Sequence, residues 1–401
     1  MSAHHTQLKN LVEIDSATVR IAGDSGDGVQ LVGTQFADIS SMDGSIICAM
    51  PDYPSEIRAP AGTVGGVSSY QLSFGSGDIT TPGDTPGLLV AFNPAALRVH
   101  LKDLEPGSIV ILDEDTFDAK ALEKAGYQSN PLEDGTLEPF RVIPIPMTRL
   151  NAQAVRDVDL PASQKGRSKN FFALGVLLWL FDRPMQPLLE WMMHKFAGKR
   201  EVMAANAAAL RAGYNYANTA ELFRVYYHVH EAQLPPGRYR RVTGNEAAAI
   251  GLVAAGCRAA RTIIYASYPI TPASDILHEL SKYKEFEVRT LQVEDEIAAC
   301  CAAIGASYAG AIGVTGTSGP GLALKIEALG LAVITELPLV LIDVQRAGPS
   351  TGMPTKTEQS DLFVARFGRH GDSPLPVLAA ATPSDCFHMA FEAVRIATKY
   401  M

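Results

Sequence analysis

Residues 312–344 read IGVTGTSGPGLALKIEALGLAVITELPLVLIDV. This segment begins and ends with short apolar runs, Ile312 to Gly316 and Leu339 to Val344, which are typical of buried strands. The glycine-rich turn from Thr315 to Gly321 connects the first run to a helix. Strand, helix and strand in this order favour a parallel sheet covered by helices, so the segment predicts an α/β fold.

The same alternation extends in both directions along the chain. Towards the N-terminus we predict a strand near residues 262–267. Ala-rich helices are predicted before it at 245–255 and after it at 296–309. In the first half, Thr18 to Ala22 predicts a strand, the glycines from Gly23 to Gly28 a tight loop, and the following residues a helix. The sequence therefore predicts an α/β protein with two three-layer domains, each built on a parallel sheet.

The composition changes at Gln233-Leu-Pro-Pro-Gly-Arg-Tyr-Arg-Arg241, which is typical of a stiff, solvated connector. We place a linker at 233–242, a first domain at 16–232 and a second at 243–401, and we expect 1–15 to be a tail. An amphipathic helix from Asp385 to Lys399 is predicted just before the sequence ends at Met401.

Composition limits the function. With 47% hydrophobic and 19% charged residues among 401, the chain can bury a sizeable core. Its formal charge of -9 argues against a general nucleic-acid binder. The longest apolar run, Phe171 to Phe181, is too short to cross a bilayer, and the start lacks a secretory-type apolar core.

Five cysteines without a C-x-x-C pair predict a protein of a reducing compartment, in the cytoplasm, with no metal site of its own.

Two candidate binding residues follow predicted strands. In Tyr268-Pro-Ile-Thr-Pro272 the prolines hold Thr271 rigidly at a strand's carboxyl end, where ligands bind in open α/β sheets. Its hydroxyl could contact a substrate or cap the next helix. Arg346 ends another strand, and its guanidinium suits a carboxylate, although pairing with a nearby acid explains it equally well.

Glu296 is the third candidate, at the start of a helix of small apolar residues. An acidic residue in a first turn complements the helix dipole, which is the simplest explanation. A carboxylate facing inward from such a buried helix would instead need a hydrogen-bonding partner, and a nitrogen heterocycle would serve. The turn at Gly316 to Gly321 lacks the lysine of a nucleoside-triphosphate loop but could pack against a flat ligand.

The first domain offers weaker signals. Gly23, Gly26 and Gly28 lie between a strand and a helix, where backbone N–H groups could approach an anion, but a tight turn is the simpler explanation. The G-x-x-G-x-G spacing is not the dinucleotide pattern, which disfavours a nicotinamide dehydrogenase. Glu56 and Arg58 lie in a long irregular stretch, and such loops are often functional. A surface ion pair between the two residues is the simpler explanation.

Together these motifs resemble one family. The second half is similar to the α chain of 2-oxoacid:ferredoxin oxidoreductases, and the first half to the γ domain that some members fuse ahead of α. The α-type motifs are YPITPAS, VEDEIAACCAAIGASYAGA, TGTSGPGLALKIEALGLA, ELPLVLIDVQRAGPSTGMPTKTEQSDL and HGD. The γ-type motifs are SGDGVQLVG, YPSEIRAPAG, TPGD and NPAAL.

The resemblance implies a fold and a set of roles. It implies a Rossmann-like γ domain and a second domain that binds the pyrimidine half of thiamine diphosphate. Glu296 would bond the aminopyrimidine ring nitrogen, with Pro269, Ile270 and Gly319 near the cofactor. Thr271 and Arg346 would hold the carboxylate of the 2-oxoacid. For Gly26, Gly28 and Arg58 it implies contact with coenzyme A or between domains.

The resemblance also implies partners. A β chain would supply Mg2+, the diphosphate contacts and a [4Fe-4S] cluster, in a (γα–β)2 assembly that reduces ferredoxin and can run in reverse to fix CO2. The fused layout is most similar to the 2-oxoglutarate branch, with pyruvate and branched-chain enzymes as alternatives. A non-catalytic assembly subunit that retains the fold is the alternative from another class. Family α chains usually continue into a further domain, which we expect to be absent here.

Overall fold

The computed structural model describes residues 9–54, 66–77, 79–220 and 223–401. The chain divides into two compact units, Met1–Arg238 and Tyr239–Met401, which we call unit 1 and unit 2. The division falls inside the stretch for which the sequence predicts a linker.

Unit 1 contains eight strands and eight helices among its described residues. The strands are β1 (Asn10–Ile14), β2 (Ser16–Asp24), β3 (Ile46–Asp52), β4 (Val67–Gly75), β5 (Leu88–Ala91), β6 (Ile109–Asp113), β7 (Arg141–Ile145) and β8 (Val225–Val229). The helices are α1 (Val29–Met42), α2 (Pro94–His100), α3 (Ala119–Ala125), α4 (Met147–Ala154), α5 (Ala162–Lys165), α6 (Lys169–Leu180), α7 (Gln186–Lys195) and α8 (Arg200–Thr219). Three 3-10 turns lie at Leu101–Asp103, Glu114–Thr116 and Gly166–Ser168.

The main sheet of unit 1 has six strands in the order β3-β4-β2-β5-β6-β7. Four neighbouring strands of this sheet, in the order β2-β5-β6-β7, are parallel to one another. This confirms the predicted α/β class. The sheet is mixed rather than wholly parallel, however, because β4 runs antiparallel to both β2 and β3. Apolar side chains of β5 alternate between its faces: Leu88 and Val90 join one core cluster, and Leu89 and Ala91 the other. Helices therefore cover both faces, giving the expected three layers.

The predicted N-terminal tail is partly wrong. Residues Asn10–Ile14 form β1, which pairs in parallel with β8 in a separate two-stranded sheet. The pairing partner lies at the far end of the unit, so no local pattern around residue 10 could indicate a strand.

Unit 2 contains four strands and six helices. The strands are β9 (Ile263–Ser267), β10 (Val288–Gln292), β11 (Ile312–Thr317) and β12 (Leu339–Asp343). The helices are α9 (Gly244–Ala259), α10 (Ser274–Leu280), α11 (Glu296–Tyr308), α12 (Gly319–Ile334), α13 (Leu362–Phe367) and α14 (Pro383–Tyr400), with a 3-10 turn at Lys284–Phe286.

The sheet of unit 2 is parallel throughout, in the order β10-β9-β11-β12. One face packs against α9 and α14, and the other against α11 and α12, so this unit also has three layers. Side-chain caps define several helix starts: Thr243 and Glu246 form a capping box on α9, and Asp295 accepts the Ala298 N–H on α11. This architecture brings the carboxyl ends of four strands to one edge.

Within the described residues, no helix has both the length and the apolar character needed to cross a membrane. All five cysteines are described, and each is a free thiol.

Candidate functional site

The motifs of unit 2 lie at the carboxyl edge of its sheet. Tyr268 to Thr271 follow β9, Glu296 opens α11 after β10, Ser318 follows β11, and Arg346 follows β12. Because the four strands are parallel, these segments meet at one edge, which is where open α/β sheets bind ligands. The structure therefore brings together the residues that the sequence analysis selected in this unit.

Glu296 is the first residue of α11 and is half-buried. Its surroundings are defined by Gly321 in the first turn of α12. A Cβ on Gly321 would lie 2.0 Å from Tyr268 Oη, 2.2 Å from Thr317 Oγ1 and 2.9 Å from Glu296 Cγ. The missing side chain at Gly321 thus leaves a small space on which two hydroxyls and the Glu296 side chain converge.

Tyr268 and Thr317 form a buried hydroxyl pair beside Glu296. Their oxygens are 3.0 Å apart, and the Tyr268 side chain interacts with the Glu296 carboxyl group. Burial raises the pKa of Tyr268 above its usual value, the Thr317 hydroxyl opposes this, and the nearby Glu296 raises it further. Tyr268 is therefore a protonated phenol at neutral pH.

Lys325 of α12 lies beneath this pair and is fully buried. Its Nζ donates to Thr315 Oγ1 at 2.7 Å and to the Gly316 carbonyl at 3.1 Å, and lies 5.2 Å from the centre of the Tyr268 ring. Burial lowers the pKa of Lys325 to about 8, against the attraction of Cys300, Glu296 and Asp343.

Arg346 contacts the backbone of Thr271. Arg346 is 4% exposed and donates from one terminal nitrogen to the Thr271 carbonyl at 2.8 Å and from the other to the Thr351 carbonyl at 2.6 Å. Its Nε has no partner among the described residues. These bonds go to neutral carbonyls rather than to an acid, so the ion-pair explanation for Arg346 is not what the structure shows. Nor does Thr271 cap α10, since the N-cap residue is Ala273.

The loop that carries Pro269 and Ile270 is held by neighbouring helices. The Ile270 N–H donates to Ser274 Oγ at 3.0 Å, and Asn245 of α9 donates to the Pro272 carbonyl at 3.1 Å. Pro269 itself is exposed at the sheet edge. The loop is therefore rigidly placed and leaves its outer surface open.

Gly319 lies against a pair of carboxyl groups that the sequence analysis did not select. A Cβ on Gly319 would be within 2.9 Å of both carboxylate oxygens of Asp361, which precedes α13. Asp361 in turn interacts with Asp343 at the end of β12. Burial raises the pKa of Asp343 to about 7, and the neighbouring Asp361 raises it as well, while Lys325 opposes the shift.

These features fit the pyrimidine half of thiamine diphosphate. The half-buried Glu296 carboxylate supplies a hydrogen-bonding partner for a flat nitrogen heterocycle, and the exposed loop with Pro269 leaves the same sheet edge accessible. In the part of the chain that the structure describes, no three His, Cys, Asp or Glu side chains converge to hold a metal ion.

In unit 1, Gly26 lines a cavity of about 170 Å³ together with cationic and small residues. The lining residues are Gly26, Asp27, Ser163, Gly166, Arg167, Lys169 and Asn170. Gly28 precedes α1 with a φ of 73°, and a Cβ there would lie 2.2 Å from the Asn170 amide nitrogen, so only glycine fits. Lys169 is bonded to the buried Asp113 at 2.9 Å. Arg58 lies outside the described residues.

Sequence reasoning missed Tyr268, Thr317 and Lys325 as members of the site. Lys325 could have been found, because helical spacing places it on the same stripe as Leu322 and Leu329, both buried. A lysine in such a stripe needs polar partners. The convergence of Tyr268 and Thr317 at Gly321 depends on tertiary packing and left no local signal.

Two family models match the chain. One, described as pyruvate ferredoxin/flavodoxin oxidoreductase, covers residues 18–216, and the other, described as pyruvate flavodoxin/ferredoxin oxidoreductase, thiamine diphosphate-binding, covers 255–401. The chain is also 52% identical over 387 residues to the 2-oxoglutarate oxidoreductase subunit KorA of Mycobacterium tuberculosis, covering 96% of this chain. The chain belongs to the 2-oxoacid:ferredoxin oxidoreductase family. The family resemblance stated from the sequence is confirmed.

The chain is also similar to other members of the family, over part or most of its length. The 2-oxoglutarate synthase subunit KorA of Archaeoglobus fulgidus is 48% identical over 160 residues, 40% of this chain and 45% of that protein. The structure of the 2-oxoglutarate:ferredoxin oxidoreductase from Magnetococcus marinus, with 2-oxoglutarate, coenzyme A and succinyl-CoA bound, matches 96% of this chain with a TM-score of 0.79 and 33% identity. The chain spans 59% of the Mycobacterium protein and 62% of the Magnetococcus chain.

Proposed function

We propose that the chain is the α subunit, with a fused γ domain, of a thiamine-diphosphate-dependent 2-oxoacid:ferredoxin oxidoreductase. The observation that carries the proposal is the convergence of the Glu296, Tyr268 and Thr317 side chains around Gly321, at the carboxyl edge of the unit 2 sheet. The preferred substrate would be 2-oxoglutarate, converted with coenzyme A to succinyl-CoA and CO2 while ferredoxin takes the electrons. The names of the two relatives that match both units support this choice over pyruvate or a branched-chain acid.

Each candidate site residue that the sequence analysis selected in unit 2 has a defined task in this proposal. Bound thiamine diphosphate supplies the carbon nucleophile that attacks the keto group. Glu296 would hold a hydrogen bond to the aminopyrimidine ring nitrogen, and Pro269, Ile270 and Gly319 would line the ring's surroundings. Arg346 has five N–H donors, of which two are used by carbonyls, so the remaining donors can bind the substrate carboxylate beside Thr271.

The remaining groups would come from a partner. We propose that a β subunit supplies Mg2+ and a [4Fe-4S] cluster in a (γα–β)2 assembly, because the described residues hold no metal-binding cluster. We propose a cytoplasmic location, which the five free thiols support. The domain limits 16–232 and 243–401 belong to the same proposal.

For coenzyme A we propose the cavity beside Gly26 and Gly28 in unit 1. Arg167 and Lys169 line it, and their positive charges suit the phosphate groups of coenzyme A. The substitution Arg167→Gln should raise the KM for coenzyme A and leave the KM for the 2-oxoacid unchanged. An unchanged KM for coenzyme A would contradict this part of the proposal.

The test uses the chain purified with its β partner. We expect 2-oxoglutarate to reduce ferredoxin or a viologen dye only when coenzyme A is present, and we expect Glu296→Gln to lower turnover by at least about 1,000-fold. The matched control is Glu327→Gln, which changes an exposed glutamate on α12 and should leave turnover unchanged.

Three outcomes would contradict the proposal. Preference for pyruvate across a panel of 2-oxoacids would reject 2-oxoglutarate as substrate. Full turnover of the Glu296→Gln complex would favour the non-catalytic assembly subunit. Absence of thiamine diphosphate from the purified complex would reject the cofactor.

A further inference from the structure

Tyr268 and Thr317 are buried beside Gly321, and the proposed function gives neither side chain a task; Tyr268 is the one that interacts with Glu296. It is 6% exposed and follows β9, directly before the loop with Pro269. Its hydroxyl is 2.0 Å from the position that a Gly321 Cβ would occupy. A phenol buried at this point must direct its hydrogen to a specific acceptor.

The hydrogen bonds around Tyr268 have a preferred direction. Thr317 Oγ1 has a single hydrogen and two candidate acceptors, Tyr268 Oη at 3.0 Å and the Ser318 carbonyl at 3.3 Å. Either oxygen of the Tyr268–Thr317 pair can donate, and the shorter of the two contacts favours donation from Thr317 to Tyr268. This leaves the Tyr268 hydrogen for Glu296, whose carboxyl group interacts with the same hydroxyl.

The tyrosine ring is held in place from below. The Lys325 ammonium lies 5.2 Å from the ring centre, within the range of a cation–π contact, and is itself bonded to Thr315 and Gly316 of β11. Ring and hydroxyl are therefore both anchored to β11, the strand from which Thr317 extends. The orientation of the Tyr268 O–H bond is set before any ligand binds.

We propose that Tyr268 is a positioning residue for Glu296: aligned by Thr317, its hydroxyl donates to one carboxylate oxygen and leaves the other directed at the aminopyrimidine ring nitrogen. This inference rests on the proposed function, because it assigns Glu296 the heterocycle as its ligand. A carboxylate with one oxygen fixed in this way has a single orientation, which lowers the entropy lost when the heterocycle binds.

The test compares Tyr268→Phe with wild type in the complex with the β partner. We expect the dissociation constant for thiamine diphosphate with Mg2+, measured by calorimetry, to rise about 10-fold, because a hydrogen bond to a charged group is lost. Turnover should fall, the KM for the 2-oxoacid should stay constant, and the acid limb of the turnover profile should move to higher pH. The near-ultraviolet circular dichroism of the bound aminopyrimidine should weaken.

Two further variants define the comparison. Tyr265→Phe is the matched control, since it removes the same atom from a fully buried tyrosine of β9 whose hydroxyl lies beside Gly316 rather than Gly321. It should leave cofactor binding within about twofold of wild type, as expected when no ligand contact is changed. Thr317→Val removes the donor to Tyr268 and should reproduce the direction of the Tyr268→Phe effects.

The outcomes separate this inference from the function on which it rests. Wild-type cofactor binding and an unchanged pH profile in Tyr268→Phe would overturn the positioning role, while the effect of Glu296→Gln would still support the proposed function. Normal cofactor binding in Thr317→Val, together with loss in Tyr268→Phe, would overturn the assigned bond direction. If the wild-type complex binds no thiamine diphosphate, the proposed function itself fails.

Discussion

The two units treat their buried cations differently. In unit 1, the buried Arg20 pairs with Asp103 and the buried Arg183 with Asp43. In unit 2, Lys325 and Arg346 are as deeply buried, yet their hydrogen bonds to the described residues go to a hydroxyl and to backbone carbonyls, all of them neutral.

This difference separates a structural use of charge from a functional one. A buried cation that meets a carboxylate is neutralised within the fold, so its loss is felt mainly in stability. A buried cation held by neutral oxygens retains its charge for a ligand, at a cost in stability.

Among the variants that test this comparison, Gly321→Ala should have the largest effect, which is on turnover. The new methyl group would lie within 2.2 Å of two hydroxyls and displace the residues that surround Glu296. We expect turnover of the complex to fall at least about 100-fold, since small displacements of catalytic groups have effects of this size. The control is Gly330→Ala in the same helix, where a Cβ meets nothing within 4 Å, and it should keep full activity. Equal losses in both variants would contradict the assignment of this space to the site.

The next effect concerns Lys325→Met and the pH dependence of stability. The Lys325 pKa is lowered to about 8 from 10.5, so between these values the unfolded chain binds more protons and wild type gains stability as pH rises. The methionine variant lacks this gain. From pH 8 to 10.5, the unfolding free energy of wild type should therefore rise relative to that of the variant by up to about 3 kcal/mol. Below pH 8 the difference between the two proteins should stay constant. Denaturant titrations at pH 7.5, 9 and 10.5 measure it; parallel curves would show that Lys325 does not titrate there.

In unit 1 we expect Arg183→Met to affect stability alone. The substitution removes a cation that bonds Asp43 and, at 2.7 Å, Ser45. Because Asp43 remains partly solvated, the loss should be about 2 kcal/mol of unfolding free energy, below that of a fully buried pair. Turnover per folded complex should not change. Arg149→Met, at an exposed ion pair, is the control and should cost under about 1 kcal/mol. A loss of turnover in Arg183→Met would break the division between the units.

The last effect concerns Asp343→Asn and the pH dependence of stability. The pKa of Asp343 is raised from 3.8 to about 7, so the folded chain binds more protons in that range and stability falls as pH rises. An asparagine resembles the protonated acid and removes this slope, so the variant should gain stability relative to wild type as pH rises through that range. Asp275→Asn, on the exposed start of α10, should retain the wild-type slope. Identical slopes in wild type and Asp343→Asn would contradict the raised pKa of Asp343.

Local patterns predicted the elements of unit 2 closely. The helix expected at 296–309 is Glu296–Tyr308, and the strand expected at Leu339 to Val344 is Leu339–Asp343. These bounds depend on short-range signals: an N-cap acid, runs of small apolar residues, and glycine turns. Thr271 and Arg346 were each expected at the carboxyl end of a strand, and parallel strands deliver those ends to one edge.

Non-local pairing explains what sequence reasoning could not predict. The direction of β4 is set by its two neighbours and not by its own residues. Likewise, Tyr268 and Thr317 come from different strands and meet only because Gly321 has no side chain. The pattern around each of these residues is compatible with an ordinary core position.

The ladder between β1 and β8 has a consequence for how such chains can be assembled. It places Asn10 opposite Val225, so the first and last described strands of unit 1 lie side by side. A compact unit whose two ends are neighbours can be joined to another gene product, or released from it, with its interior packing preserved. Fission and fusion at this junction are thus structurally inexpensive, so the same unit can exist either as a separate polypeptide or as the leading part of a longer one.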